Sequence, residues 1–225
     1  MKQLAAPLIG GGILMAAYLG LRPYGDQSTD PATIAAAFAD WRWVASHVCG
    51  LLALAQFGRL TQRLEDLSRG EGRPSRLARF ARATGLGGAL LVLPYYGAET
   101  FGLHALGRAR LDDPTFPLVA LTEAVRNQPA ALTLFGAGLI SLAVSAVLTS
   151  LAWRQFARPS WAPWPLAALM IGFLPQFYLP AAGRIGYGIA YLIAAVVWLA
   201  AASRHQHSAA SDHQMTSGVT TRPAT

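Results

Sequence analysis

His47 and Glu99 are the two strongly polar, titratable side chains set well inside long apolar runs of this sequence. A charge near the centre of a bilayer costs about 2.5 to 3.5 kcal/mol even on the mild insertion scale, so each must have a partner or a purpose. Three chemistries use these residue types. Two histidines and a carboxylate can hold a catalytic metal, which points to His47, Glu99 and His104 as a weak metal set for an intramembrane hydrolase. Two histidines on facing helices can ligate a haem, with His47 and His104 the available pair outside the C-terminal tail. Polar groups among aromatics can instead line a ligand pocket, and here the candidates are His47, Tyr95, Tyr96, Glu99, Gln176 and Tyr187.

Helical geometry divides these groups. Tyr95, Glu99 and Gly102 follow i, i+4, i+7 and share a face, and Tyr96 neighbours Glu99 three residues on. His104 lies five residues past Glu99, so at 100° per residue it points about 140° away and does not join it in a regular helix. Pro94 frees a carbonyl one turn earlier and favours a kink there. His47 falls about one turn after the start of its run and Glu99 about one turn before the end of its own, so antiparallel packing puts both at similar depth near the outer face, where a hydrogen bond between them is sterically open. Gln176 and Tyr178 stand between Pro175 and Pro180 in FLPQFYLP, where a prolyl-broken helix can open a cavity. Tyr187 and Tyr191 share a face of the last run.

The elements that position these residues follow from composition. The chain has 225 residues, 53% hydrophobic and 13% charged, where a soluble domain is about 25% charged. Its apolar residues are blocked into runs of about 20, the length that crosses the ~30 Å hydrocarbon layer. The expected fold class is all-α, a polytopic membrane helical bundle with six transmembrane helices at about 4–21, 42–62, 80–104, 130–153, 163–181 and 184–202. The first run lacks a small-x-small cleavage site and is expected to be retained. The division is a transmembrane domain over 1–203 and a disordered cytoplasmic tail over 204–225, polar and without periodicity. His205, His207 and His213 in that tail are read as solvated, with no metal site assigned.

The formal charge of +7 is topological, and nucleic-acid binding is not expected. Seventeen of the eighteen basic residues are Arg, and Lys2 is the exception; with abundant Ala and Gly this hints at a GC-rich bacterial genome. Arg59, Arg63, Arg69, Arg73, Arg76, Arg79 and Arg82 crowd the connection after the second run, and Arg154, Arg158 and Arg204 follow the fourth and sixth. The positive-inside rule then puts both termini in the cytoplasm of a bacterial inner membrane. The lone Cys49 excludes an intrachain disulfide and a CxxC pair.

Two outer connections carry helix signals. Asp30 is an N-cap with Pro31 at the first helical position, so a helix starts there and is expected to lead toward the second run. Leu118, Leu121, Thr122 and Val125 lie at helical spacing between prolines, an amphipathic pattern. Two readings stand: the pair caps the bundle, or both lie on lipid headgroups. Small-residue ridges at Gly12, Ala16 and Gly20, at Ser46, Gly50 and Ala53, and at Ser141, Ser145 and Thr149 are expected to pack helices. Trp41, Trp43, Trp161 and Trp164 stand where aromatic belts form.

A His-bearing second helix, an Arg-rich loop and a glycine-rich third helix ending in YGAETFGL together resemble small uncharacterised six-helix integral membrane proteins of bacteria. The resemblance covers about residues 1–203, rests on topology and implies the fold alone. No Walker loop, nucleophile elbow, HExxH or dinucleotide fingerprint is present. The expectation is therefore a non-enzymatic membrane protein that binds or moves a small or lipidic molecule, or serves as an accessory subunit, through an outward pocket near His47 and Glu99. No cofactor is expected. The partners are the bilayer, a small-molecule or lipid ligand and a membrane protein. The metal-dependent hydrolase and the haem-binding electron carrier are the alternatives.

Overall fold

The computed structural model describes residues 2–70, 72 and 75–217, and these are helical with no strand among them. The helices are α1 (Lys2–Leu21), α2 (Pro31–Ala39), α3 (Trp41–Gly70), α4 (Arg76–Leu91), α5 (Leu93–Gly97), α6 (Leu103–Asp112), α7 (Leu118–Arg126), α8 (Pro129–Phe156), α9 (Trp164–Ile171) and α10 (Ala181–Ser217). Short 3₁₀ turns at Tyr24–Gln27 and Pro175–Tyr178 and a π turn at Ala98–Gly102 complete the path.

Among the described residues, three segments are long and apolar enough to cross a membrane: Gln3–Leu21, Pro129–Phe156 and Ala181–Arg204. The other three expected spans differ for identifiable reasons. α3 has 30 residues, but its second half carries Arg59, Arg63, Glu65, Asp66 and Arg69, so charge dilutes its hydropathy. The third run is divided: α4 ends at Leu91, Pro94 without its N–H opens α5, and the π turn precedes α6. The fifth is 8 residues of α9, ended at Gly172 and followed by the 3₁₀ turn that Pro175 begins. α10 passes residue 204, where composition placed the start of a disordered tail, and continues to Ser217; residues 218–225 of that tail lie outside the described residues.

Packing closes these elements into a ring in which α1 lies between α10 and α3, α3 meets α4, α4 meets α8, and α9 joins α8 to α10. Small residues set the approach. Gly88 and Gly138 face each other across α4 and α8, and a Cβ on Gly88 would lie 2.8 Å from the Gly138 carbonyl oxygen. Ser145 donates across the same pair to the Ala81 carbonyl at 2.6 Å, whereas Ser141 returns to its own helix at Ala137. At the opposite flank, a Cβ on Gly50 would enter the Tyr18 ring at 2.9 Å. Away from the cap, buried Glu65 ties α3 to α4 by accepting from Arg69 and Arg82.

α2, α6 and α7 gather over one end of the ring and bury a second core of Ala35, Phe38, Trp43, Leu103 and Leu118. The connections therefore cap the bundle. Asp30 caps α2 through Ala32 and Thr33, but α2 does not run into α3: Asp40 turns extended at ψ 134° and accepts from the Arg42 N–H. On α7, Leu118 and Thr122 are buried and Val125 packs on the cap core, while Leu121 faces out. Trp41 and Trp161 are exposed as a belt requires, but Trp43 is wholly buried beneath the cap.

The α4–α8 contact predicts a contrast between neighbouring glycines. Gly88→Ala should destabilise the protein by about 1 to 3 kcal/mol through overpacking. Gly87→Ala, with open space around it, should be neutral or stabilise by up to about 1 kcal/mol. Thermal unfolding in detergent measures both, and equal melting temperatures would mean that the helices do not meet at Gly88.

Candidate functional site

Below the cap, five breaks in regular helix bring charged side chains together. α1 ends at Leu21, and Arg22 then reaches Asp26, four residues on in the 3₁₀ turn, at 2.7 Å. The π turn adds a residue to its helical turn and carries Glu99; such turns recur at functional positions. Arg126 is the last residue of α7. Arg184 stands in the first turn of α10, after the proline-bounded 3₁₀ turn that carries Phe177.

These side chains line a cavity of about 290 Å³ together with Tyr18, Gln27, His47, Tyr95, Tyr96 and Phe135. Its ionic wall is a chain of contacts. Arg22 donates to His47 Nε2 at 3.1 Å and to Asp26 at 2.7 Å; Arg126 donates to Asp26 at 3.3 Å and to Glu99 Oε1 at 2.9 Å; the Tyr95 hydroxyl reaches Glu99 at 3.4 Å. His47 and Glu99 thus share one cavity, but Arg22, Asp26 and Arg126 intervene where a direct hydrogen bond was sterically open. The reason is electrostatic: a guanidinium supplies several donors, and a pair of carboxylates needs more than one imidazole can give.

The ring of His47 is fixed from both sides. Its Nδ1 lies 2.7 Å from the Trp43 carbonyl, an acceptor only, and its Nε2 faces Arg22, a donor only. The contacts require the neutral Nδ1–H tautomer, with Nε2 accepting. Trp43 packs at a 37° tilt against the imidazole, ring centroids 4.2 Å apart, and donates its indole N–H to the Glu99 carbonyl at 2.8 Å, so one tryptophan braces both candidate residues. Arg22 also lies 4.8 Å over the Trp43 ring, a cation–π contact. Burial pulls the Arg126 guanidinium down, but Glu99 and Asp26 outweigh it and hold it above its ordinary value. Burial pushes the Tyr24 phenol up to about 12, so it stays a neutral donor to the Leu19 carbonyl.

The opposite wall is aromatic. Tyr95 stacks on Phe135 at 4.5 Å and Phe177 stands 6.3 Å beyond Phe135. Tyr96 is buried among Tyr18, His47 and Phe135. Gln176 and Tyr187, expected in the pocket, do not line it. Gln176 is buried with neither amide atom hydrogen-bonded, and the Tyr187 hydroxyl turns to the Leu169 carbonyl. The 3₁₀ turn sets this outcome by presenting Phe177 to the cavity in place of its neighbour.

His104 points to the cap and meets the Phe38 carbonyl at 2.8 Å, away from Glu99. Among the described residues no three His, Cys, Asp or Glu side chains group as metal ligands, so the His47, Glu99 and His104 set is not assembled. What the site can do is recognise charge and shape: three guanidinium forks and two carboxylates face an apolar wall.

The residues that sequence reasoning missed are Tyr18, Arg22, Asp26, Gln27, Arg126, Phe135, Phe177 and Arg184. One signal marked the cations. Arg22 and Arg126 fall in segments read as outer and Arg184 opens the sixth run at the end read as outer, where arginine runs against the positive-inside bias.

Asp26 is the member whose loss should matter most, since its side chain is 5% exposed and serves two arginines. Asp26→Asn should destabilise by about 3 to 5 kcal/mol, because it leaves buried guanidiniums short of charge. Arg42→Gln, which breaks the exposed pair with Asp40, should change stability by less than about 1 kcal/mol. Chemical unfolding in detergent tests the pair, and similar effects would mean that the ionic wall is solvated. No known protein family, curated protein or solved structure matches the chain.

Proposed function

We propose that the protein is an integral protein of the bacterial inner membrane with six membrane crossings, both termini cytoplasmic, that binds a small or lipidic molecule in the outward-facing cavity beneath α2, α6 and α7. The observation that carries this reading is the division of the cavity into an ionic wall and an aromatic wall, the pairing by which pockets fix a ligand's orientation while burying its surface. In the six-crossing arrangement α3, the α4–α6 rod and the broken α9 unit supply the remaining spans. The interrupted helices then lie against protein, the setting in which membrane proteins tolerate irregular backbone.

The volume of about 290 Å³ sits at the lower end of the roughly 300 to 1,000 Å³ usual for ligand pockets, so the occupant is a small molecule or the head end of a lipid. The hydrolase alternative lacks support, since His47 spends both ring nitrogens on Trp43 and Arg22.

Extraction in a mild neutral detergent followed by native mass spectrometry should show a stoichiometric small-molecule or lipid adduct. Phe177→Trp, which enlarges the aromatic wall into the cavity, should release the adduct and leave the melting temperature close to wild type. An adduct retained by the filled variant, or none on the wild-type protein, counts against the site. In a Cys49→Ala background, Asn127→Cys should react with an impermeant maleimide in intact cells, and Arg63→Cys only after lysis; the reverse pattern would invert the topology.

A further inference from the structure

The charges of the cavity do not cancel. Three arginines, Arg22, Arg126 and Arg184, face two carboxylates, Asp26 and Glu99, and His47 takes part as a neutral acceptor; three positive against two negative leaves one positive charge. Both carboxylates already have arginine partners, although Asp26 Oδ1 is buried without a hydrogen bond of its own. Arg126 holds Glu99 and Asp26, and Arg22 holds Asp26. Arg184 instead donates to the carbonyls of Leu179 and Phe177, lies 5.8 Å over the Tyr24 ring, and has no ion pair among the described residues.

Its position aggravates the imbalance. Arg184 is 6% exposed and sits in the first turn of α10, where the helix dipole is positive and favours an anion over a cation. Arg22 lines the same cavity, and its buried Nε has no hydrogen-bond acceptor. A surplus cation at a positive helix end and the arginine with an unused guanidinium donor thus line one cavity, together with Phe135 and Phe177. The two carbonyls satisfy donors of Arg184 but not its charge, and a buried guanidinium without a counter-charge is unfavourable in a low-dielectric setting.

We propose that the ligand is an anionic amphiphile, whose carboxylate or phosphate group takes the place of the missing counter-charge at Arg184 and Arg22 while its apolar portion lies on Phe135 and Phe177. The proposal rests on the reading of the cavity as a ligand site and adds the ligand's charge and shape. Guanidinium forks suit both oxyanions, since each can accept two parallel N–H bonds. The volume corresponds to roughly ten waters at about 30 Å³ each, enough for a head group and a short length of chain.

The test measures affinity on the purified full chain in neutral detergent at neutral pH and constant ionic strength. The probes are decanoate, decyl phosphate, decanol, acetate and inorganic phosphate. Decanoate and decyl phosphate should bind at least about tenfold more tightly than decanol, the return expected from one charged hydrogen-bonded contact. Acetate and inorganic phosphate should bind far more weakly than the chain-bearing anions. Arg184→Gln should reduce decanoate to the affinity of decanol without changing decanol itself, and Arg184→Lys should keep a preference for the anion. Equal affinities for decanoate and decanol on the wild-type protein would overturn the anionic ligand and leave the binding site standing. Failure of both to bind would overturn the binding site as well. Acetate or phosphate binding as tightly as the amphiphiles would mean a free anion and overturn the apolar half of the proposal. If Arg184→Gln does not fold, the wild-type comparison of decanoate with decanol still decides.

Discussion

Asp26 accepts from Arg22 at 2.7 Å and from Arg126 at 3.3 Å, and through these two bonds the cap end of the protein holds together. Arg22 continues to His47 on α3, and Arg126 continues to Glu99 on the π turn. One carboxylate therefore links the end of α1, the core of α3, the interrupted third rod and the surface helix α7. Each pairing in such a network matters, because an unpaired charge in a low-dielectric setting costs several kcal/mol. The constraint runs both ways: the helices must end where they do for the charges to meet, and the charges must meet for those ends to stay buried.

The interruptions are as specific as the ions. Pro94 and the π turn turn the third rod so that Glu99 and Tyr95 face the cavity while His104 faces α2. Pro175 and Pro180 bound a turn that brings in Phe177 and sets Arg184 at a helix start. Regular helices would spread these groups along lipid-facing or packed surfaces. The glycine contacts of α1, α3, α4 and α8 provide the rigid ring against which the irregular end is built.

The cap closes the arrangement. Phe38, Trp43, Leu103 and Leu118 form a small apolar core above the ions, and Trp43 reaches below it to pack against the His47 ring and to hold the Glu99 carbonyl. An apolar lid of this kind strengthens the electrostatics beneath by limiting water. It also gives α7 two anchors of different kinds, Leu118 in the cap core and Arg126 in the ionic wall.

By itself the sequence determined the helical class, the apolar runs, the helix starts at Asp30–Pro31 and before Leu118, and the pairing of Tyr95 with Glu99 against His104. All of these are local, since hydrophobic blocks, N-cap chemistry and the angle per residue act within a few turns. Tertiary structure decided what His47 and Glu99 touch. Their partners, Arg22, Asp26 and Arg126, come from segments that read as loop ends or surface helix, and no spacing rule connects residue 26 with residue 126. It also decided that Phe177, and neither Gln176 nor Tyr187, lines the cavity, because the 3₁₀ turn departs from helical phase. The one trace left in the sequence was a set of arginines at positions that the positive-inside rule reads as outer, and only long-range packing brought them to a single cavity.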